Sequence, residues 1–352
     1  MGEYFSNLSG GIKTGRTYQG LLDFGVRLNT NHLGLWKQGE FFALIENTHG
    51  GSPSANYLGD LQVASNIDNG DFTYLYELWY QHQFERLRLR AGLMDLNSDF
   101  VVSESAGNFL NSSFGVLSTM PLNMPAPIFP LTALGLLADY SVSEKLALKA
   151  AIYDGNPGDY ENNRYNIEWN ISNNDGFLYA FESHYQYSFA TAYQGSIKLG
   201  GVYHSGRFNY QVDTLRQGVG NYALHLIAEN TLIPKPEGEK GKLDAFFRLG
   251  YAPDQQKSLN SLNTIAGLCL TGLFSRAAND QLGLAFTHAK INRKVLEIYP
   301  FDPFELAIEV NYTLLLGKHF SIHPDFQYII NPGVNSELEN AVAFFLRFVV
   351  TN

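Results

Sequence analysis

The stretch Phe72–Met94 has the sequence FTYLYELWYQHQFERLRLRAGLM, in which apolar and polar side chains alternate with a period of two. One face of its first half carries Phe72, Tyr74, Tyr76, Leu78, Tyr80 and Phe84. The second half places leucines and an alanine on one face and Arg86, Arg88 and Arg90 on the other. Because the side chains of a strand alternate between its two faces, we predict two amphipathic strands. The short link Glu85-Arg86 predicts that they form a hairpin.

The same alternation recurs along the whole chain. It is clearest in Gly20–Asn29, Leu243–Tyr251, Glu305–Thr313, Phe320–Ile330 and Val342–Val350. Weaker runs are Leu134–Val142, Leu146–Asp154, Asp175–Tyr185, Ser196–His204, Asn221–Leu232, Leu262–Leu273 and Gln281–Ala289. Glu40–Asn47 is a further strand whose facing the sequence does not decide, and Asn166–Ser172 and Glu3–Ser9 are candidates for one more each. The total is about 14 to 17 strands, separated by turn residues as in transmembrane barrels.

Composition excludes several classes of protein. The chain has 352 residues and a net charge of -10, whereas nucleic-acid-binding proteins carry a basic face. Cys269 is the single cysteine, which excludes an internal disulfide framework and a cysteine zinc site. The longest apolar runs, Ile128–Ala138 and Ala341–Val350, are interrupted by Pro130 and Arg347. Both fall short of the ~20 apolar residues that a membrane helix requires.

A soluble β-sandwich would show the same alternation, with its apolar face in the core. Two features favour a membrane barrel instead. The predicted strands are about twice as long as the ~5 to 6 residues usual in soluble sheets. Aromatic residues also flank many apolar runs, as they do at the two interfaces of a membrane barrel. They are Tyr18, Phe24, Phe72, Phe84, Tyr140, Tyr203, Tyr222, Tyr251, Tyr312, Phe320 and Tyr328. We therefore predict an all-β fold, a transmembrane antiparallel up-and-down β-barrel, with residues 1–352 as a single domain.

One long segment, Ser98–Pro130, lacks clear alternation and is rich in serine and asparagine. A long loop in a compact fold is usually functional, so we expect it to fold into the lumen and form a constriction. Asn111 would then offer a neutral hydrogen-bonding group to a solute. The alternative is an external loop or a subunit contact. Within the segment, Ser103–Leu110 is a candidate for a short helix.

Motifs of catalysis are missing from the sequence. The nine histidines are scattered, and none lies in an H-E-x-x-H pattern. There is no G-x-S-x-G nucleophile motif, and the glycines of Gly10–Gly15 lack the spacing of a phosphate loop. We therefore predict a protein without catalytic residues and without a metal site.

The polar face of the Phe72–Met94 hairpin is the leading candidate for a pore lining. Arg88 and Arg90 would project inward from one strand, and Glu77, Trp79 and Gln81 from its neighbour. Guanidinium and carboxylate groups can form paired hydrogen bonds with adjacent sugar hydroxyls, and an indole can stack on a sugar ring. The other predicted lumen-facing candidates are Arg248, Asp244, Glu309, Asp325, Gln327 and Arg347. The alternative is that these arginines and carboxylates merely neutralise one another inside a wet lumen.

Several segments carry a family resemblance. They are Gly59-Asp60-Leu61-Gln62, Ser65-Asn66-Ile67-Asp68, Leu75-Tyr76-Glu77-Leu78-Trp79, Arg90–Phe100, Phe109–Gly115, Tyr153–Gly158 and Pro324–Gly333. In these segments the chain resembles the OprB-type carbohydrate-selective porins. The matches run in consistent order from about Gly10 to the C-terminus. Together they are specific, although no single one is decisive.

The resemblance implies a sixteen-stranded barrel in the bacterial outer membrane, diffusion of sugars and similar small solutes, and no cofactor. The expected partners are mono- or oligosaccharides and the surrounding outer-membrane lipid and lipopolysaccharide, with no nucleic acid. The barrel is expected to be a monomer or a homotrimer. Members of the family carry more sequence before Gly10-Gly11, including most of the first strand, so we expect that strand to be incomplete here.

Three functions remain open at this point. The first is a passive, carbohydrate-preferring porin. The second, suggested by the arginines, is a porin for anionic or other small polar solutes. The third belongs to a different class, a non-transporting β-barrel or a soluble β-sandwich lectin.

Overall fold

A computed structural model describes residues 1–158, 162–172, 174–189, 193–234, 241–273 and 280–351. Sixteen antiparallel strands in these residues form a closed barrel in which each strand pairs with its neighbours in sequence. The strands are β1 (Gly2–Gly11), β2 (Gly15–Asn29), β3 (Gly39–Gly50), β4 (Phe72–Phe84), β5 (Leu87–Met94), β6 (Ala133–Ser141), β7 (Leu146–Asp154), β8 (Phe177–Phe189), β9 (Tyr193–Asn209), β10 (Gln217–Ile233), β11 (Lys242–Tyr251), β12 (Asn260–Thr271), β13 (Gln281–Ile291), β14 (Phe304–Leu315), β15 (Phe320–Ile330) and β16 (Glu339–Val350). Among the described residues, no helix has the length and apolar character needed to cross a membrane.

The barrel closes between its first and last strands. Glu3 of β1 lies opposite Gln19 of β2 on one side and opposite Arg347 of β16 on the other. β1 spans ten residues and pairs with both neighbours, so the wall has no gap at the first strand. Glu3–Ser9 and Glu40–Asn47, the two least certain candidates of the sequence, lie in β1 and β3.

The alternation along the strands separates an outer face from an inner one. Phe247 and Ile308 are 39% and 36% exposed, whereas their neighbours Arg248 and Glu309 have no exposed surface. An apolar outer face is what a lipid-facing wall requires, because lipid cannot hydrate polar side chains. The facing predicted for β11 and β14 is therefore confirmed.

The hairpin that opened the sequence analysis contains one irregularity. Leu44 of β3 pairs with Glu77 and the next residue, Ile45, pairs with Leu75, so Tyr76 is an extra residue in β4. A β-bulge of this kind shifts the alternation by one residue. Tyr74 and Tyr76 are consequently buried, and the prediction that both share the outer face of Leu78 is wrong.

The connections differ in length between the two ends of the barrel. The chain termini and short links such as 85–86 and 142–145 lie at one end, called here the terminal end. The links at the opposite end, called the loop end, include the long segments 51–71, 95–132 and 155–176. Short helical turns occur in these and other links: Ser54–Leu58, Ala106–Asn108, Ser112–Gly115, Arg293–Leu296 and Pro332–Val334. The helix expected in Ser103–Leu110 is the single turn Ala106–Asn108.

Tyr165 and Asn166, in the link between β7 and β8, bond to β4 where β5 is too short to pair with it. β4 continues beyond the end of β5, and the backbone N–H of Leu75 donates to the carbonyl of Tyr165 at 3.0 Å. The Asn166 side chain donates to the Leu75 carbonyl, also at 3.0 Å. The prediction of a strand at Asn166–Ser172 is wrong, because Asn166 adopts a left-handed conformation (φ 52°) that interrupts extended backbone.

Segments 51–71 and 95–132 pack against the inner face of the wall. Phe100, Phe109 and Phe114 of the second segment form an apolar cluster with inward side chains of β6 to β13, including Phe246. Leu58 and Ala64 of the first segment join a cluster on β1, β14, β15 and β16. The barrel therefore has an apolar core of its own, in addition to its apolar outer face.

Candidate pore-lining site

Arg88 and Arg90 project from the inner face of β5 and share a carboxylate. The Arg90 Nη1 lies 2.6 Å from Asp99 Oδ2, and the Arg88 Nη2 lies 2.9 Å from Asp99 Oδ1. The same Arg88 nitrogen is 2.9 Å from Asp139 Oδ2 on β6. Asp99 lies in segment 95–132, so these ion pairs join the wall to that segment.

Trp79 packs against two guanidinium groups. The Arg90 guanidinium lies 4.2 Å from the centroid of the Trp79 ring and the Arg27 guanidinium lies 5.6 Å from it. Both distances are within the ~6 Å range of cation–π attraction. The centroid of the Phe42 ring lies 5.0 Å from that of the Trp79 ring. Because only 5% of Trp79 is exposed, its ring orients the arginines and is not open to stacking on a sugar.

Gln81 links the remaining members of this group. Its Nε2 donates to Glu40 Oε1 at 3.1 Å, and its Oε1 accepts from Arg90 Nε at 3.3 Å. Glu40 is also ion-paired with Arg27. We call the resulting set the arginine cluster. Its members are Arg27, Glu40, Trp79, Gln81, Arg88, Arg90, Asp99 and Asp139.

Glu77 lies outside the arginine cluster. The pairing of Leu78 with Leu93 places Arg90 opposite Gln81, several residues from Glu77. The Glu77 Oε1 instead accepts a hydrogen bond of 3.3 Å from the backbone N–H of Asp95. The pKa of Asp95 is raised to about 7, mainly by burial and also by the neighbouring Glu77 carboxylate, against hydrogen bonds from Asn97 and Ser98 that lower it.

Carboxylates of the wall accept hydrogen bonds from the backbone of the loop segments. Glu309 accepts from the N–H of Leu110 at 2.6 Å and from that of Asn111 at 3.0 Å. Three further glutamates do the same: Glu182 for Val101, Glu229 for Ser105, and Glu305 for Leu61 and Gln62. Each of these carboxyl groups gives a partner to a loop N–H that would otherwise be buried without one, at a cost of about 1–3 kcal/mol. These carboxylates therefore fasten segments 51–71 and 95–132 to the wall.

Cations of the wall bind the carbonyl groups of the same backbone. The Arg248 Nη2 donates to Val101 O at 2.7 Å and to Gly115 O at 2.9 Å. The Lys149 and Lys198 ammonium groups each donate at 2.7 Å, to the carbonyls of Asp99 and Val102. Segment 95–132 is thus held through both the donors and the acceptors of its main chain.

The candidates Gln327 on β15 and Arg347 on β16 contact the loops as well. Gln327 donates to Ala64 O at 2.8 Å and lies 3.2 Å from Asp325 Oδ1. Arg347 pairs with Glu3 at 2.7 Å and donates to Asn66 Oδ1 at 2.7 Å.

Five of the twelve predicted residues are therefore buried on the wall beneath the loops: Arg248, Glu309, Asp325, Gln327 and Arg347. Asn111 is buried too, within segment 95–132 itself. All six were expected to line the open pore and do not in this structure, because segments 51–71 and 95–132 pack against the wall. The sequence pattern identifies the inward facing of the five wall residues but gives no sign of that packing.

Asp244 occupies a different place from the other candidates. It pairs with Lys242 at 2.9 Å and accepts a 2.8 Å hydrogen bond from Thr231. It lines a cavity of about 670 Å³ on the terminal side of segment 95–132.

Four residues of the arginine cluster were not among the candidates: Arg27, Glu40, Asp99 and Asp139. Arg27 and Asp139 lie on the polar faces of predicted strands, and the facing of Glu40 was left open. Only Asp99 had no sequence signal beyond its place in the segment expected to fold inward.

The sequence model described as carbohydrate-selective porin, OprB family, matches residues 13–351. The chain belongs to this family. It is therefore an outer-membrane porin, a channel selective for carbohydrates, as the resemblance of its segments had indicated.

Two porins match nearly the whole chain at low identity. Porin B of Pseudomonas aeruginosa is 22% identical over 97% of this chain and 84% of its own length. The putative porin QuiX of Acinetobacter baylyi is 20% identical over 97% of this chain and 85% of its own length. The high-pH structure of Pseudomonas putida OprB shares the fold, with a TM-score of 0.90, 17% identity, and coverage of 99% of this chain and 92% of that one.

Proposed function

We propose that neutral sugars diffuse passively past the arginine cluster, with no chemical step. The observation that carries this proposal is the charge balance of the cluster. Its three guanidinium groups, on Arg27, Arg88 and Arg90, are matched by the carboxylates of Glu40, Asp99 and Asp139. A lining that is rich in hydrogen-bonding groups but electrically balanced suits hydroxylated, uncharged solutes. An anion-selective pore needs uncompensated positive charge, so the second candidate, a porin for anions, is disfavoured.

Within the arginine cluster, only the members with solvent-accessible side chains can contact a solute. The side chains of Arg27 and Arg88 are 56% and 24% exposed, whereas Arg90 and Asp99 are buried. A guanidinium can donate two parallel hydrogen bonds, which fits two adjacent hydroxyls of a sugar ring. We assign this contact to Arg27 and Arg88, with Glu40 and Asp139 as acceptors. Arg90 and Trp79 hold Arg27 and Asp99 in position.

We further propose that Ser98–Pro130 narrows the pore beside the arginine cluster. Its attachment through Glu182, Glu229, Glu309 and Arg248 supports a fixed constriction. Since each barrel contains the whole cluster, the channel needs no contribution from a neighbour, whether it is a monomer or a homotrimer surrounded by lipid and lipopolysaccharide.

Planar-bilayer recording tests the proposed function. The wild-type channel should show a zero-current potential near zero in a salt gradient and a current that sugars reduce. Arg88→Ala should weaken the sugar block and shift the selectivity toward cations, because Asp139 loses its partner. Arg293→Ala, at an exposed position of link 292–303, is the matched control. Strong anion selectivity of the wild type without any sugar block would overturn the proposal.

A further inference from the structure

A second polar region lies on the terminal side of segment 95–132. The cavity of about 670 Å³ is lined by inward residues of β8 to β13, and Glu104 and Ser105 of segment 95–132 form part of its wall. Lys145, in the link at the terminal end, also borders it. Small-molecule sites in proteins have volumes of about 300–1,000 Å³, so the cavity has room for a mono- or disaccharide.

Uncharged polar side chains face one another across the strands that line this cavity. Gln186 of β8 lies opposite Ser196 of β9, and Ser188 lies opposite Gln194 on the same pair of strands. Thr271 of β12 lies opposite Gln281 of β13. Side chains of directly opposed residues lie ~4.5–5.5 Å apart at Cβ. The register thus creates three pairs of neutral donors and acceptors around one space.

The amides among these residues are not engaged by the protein. Within the residues that the structure describes, the side chains of Gln186, Gln194 and Gln281 make no hydrogen bond, although all three line the cavity. The charged neighbours differ, since Glu229 accepts from Ser103 and Ser105 of the loop. Lining amides that retain free donors and acceptors can bind a solute without first breaking an internal hydrogen bond.

The charges around the cavity disfavour an anion. Four carboxylates border it, on Glu104, Glu144, Glu229 and Asp244, and three ammonium groups, on Lys145, Lys198 and Lys242. The small negative excess repels anions, and the near balance gives little attraction for cations. A neutral polyhydroxylated solute remains the chemical class that the lining fits.

We infer that this cavity is a second sugar-binding site, which lies at the terminal end as the arginine cluster does but on the wall formed by β8 to β13. The inference rests on the proposed function and extends it from one binding region to two. Gln186, Gln194 and Gln281 act here as the specificity-determining residues. The second site binds through neutral amides, whereas the arginine cluster binds through balanced charges.

The inference predicts an effect on sugar block that bilayer recording can measure. Channels are inserted from one chamber so that their orientation is uniform, and glucose or maltose is added to either side. The triple variant Gln186→Ala, Gln194→Ala, Gln281→Ala should raise the half-blocking sugar concentration by about threefold or more, given three lost hydrogen bonds. The salt conductance should stay close to that of wild type, because the three amides are uncharged.

Two further variants serve as a matched control and as a substitute for the triple variant. Gln217→Ala, at an exposed position at the start of β10, is the chemically matched control and should leave block from both sides unchanged. The single variant Gln281→Ala serves if the triple variant fails to assemble. Equal sugar block in wild type and in an assembled variant would overturn the second site, even if block still depends on Arg88. A wild-type channel that sugars block from neither side would instead overturn the proposed function itself.

Discussion

The Arg90 guanidinium lies 4.2 Å from the centroid of the Trp79 ring and 2.6 Å from the Asp99 carboxylate. One cation therefore contacts both the wall, through Trp79 of β4, and the segment 95–132, through Asp99. Arg88 reaches the same carboxylate but keeps part of its side chain exposed. We therefore expect different effects from removing Arg90 and from removing Arg88.

Arg90→Ala should impair the barrel more than Arg88→Ala. Removing Arg90 deprives Trp79 and the buried Asp99 of a close partner, and breaking a buried pair costs about 3–5 kcal/mol. Removing Arg88 leaves Asp99 paired with Arg90, so the cost should stay near the ~0–1 kcal/mol of an exposed pair. Folded and unfolded barrels migrate differently on a gel. The unfolding temperature of each variant in detergent can therefore be read from its migration, and the difference between the two temperatures tests the prediction. Equal temperatures for the two variants would contradict the assigned roles.

Glu309→Gln should loosen the attachment of segment 95–132. The carboxylate accepts from two loop N–H groups, and an amide can accept with only one of its two ends. The N–H left without a partner costs about 1–3 kcal/mol. Limited proteolysis within 95–132 should therefore be faster in the variant. Glu297→Gln, whose carboxylate forms an exposed pair with Arg293, is the control and should behave as wild type.

The raised pKa of Asp95 predicts that the free energy of unfolding falls as the pH rises. Its pKa is about 7 in the folded chain, against an ordinary value of 3.8. The folded state therefore binds more protons between about pH 4 and pH 7, and the free energy of unfolding decreases across that window. Asp95→Asn should unfold at a higher temperature than wild type at pH 8 and at a similar temperature at pH 4.

The pKa of Asp254 is shifted in the opposite direction, so Asp254→Asn serves as the comparison for Asp95→Asn. Burial alone would raise the pKa of Asp254, but hydrogen bonds from Lys257 and Gln256 lower it overall. The stability that Asp254 contributes is therefore present above its unfolded pKa and lost as the pH falls through the lowered value. Asp254→Asn should be destabilised at pH 8. A shift of the same sign in both variants would show that neither follows the titration of its own carboxyl group.

Phe247→Lys and Ile308→Lys should each impair assembly. Both residues lie near the middle of outward-facing strand surfaces, where a lysine facing mid-membrane lipid costs about 2–4 kcal/mol. Folding yield into lipid vesicles measures the effect. Gln186→Lys carries the same new charge on the inner face of β8, and it should fold with a yield close to that of wild type. If all three variants fold equally well, the assigned facing of β11 and β14 is wrong.

Alternation along the sequence was sufficient to predict most of the wall. The predicted bounds of Leu146–Asp154 and Phe320–Ile330 coincide with β7 and β15, because a strand with one lipid-facing side must alternate along its whole length. Tyr76 could not be predicted in the same way. Its bulge is a property of the pairing between β3 and β4, and a single strand's pattern does not contain it.

The contacts of the candidate site were harder to predict from the sequence than the strands of the wall. The inward facing of Arg88 and Arg248 follows from their strands, but their partners do not. Asp99 binds Arg88 because segment 95–132 returns to the wall, and the carbonyls that receive Arg248 belong to the same segment. Backbone donors and acceptors carry no residue identity, so a sequence does not show which side chains will bind them.

Arg347 joins three parts of the chain that are far apart in sequence. Its guanidinium binds Glu3 across the pairing of β1 with β16, and it also binds Asn66 of segment 51–71. The junction of the last strand with the first thus also includes a loop from the first quarter of the chain. Docking of that loop and closure of the barrel therefore stabilise one another through a single side chain. A change in segment 51–71 made to alter permeation would also alter how completely newly made chains close into barrels.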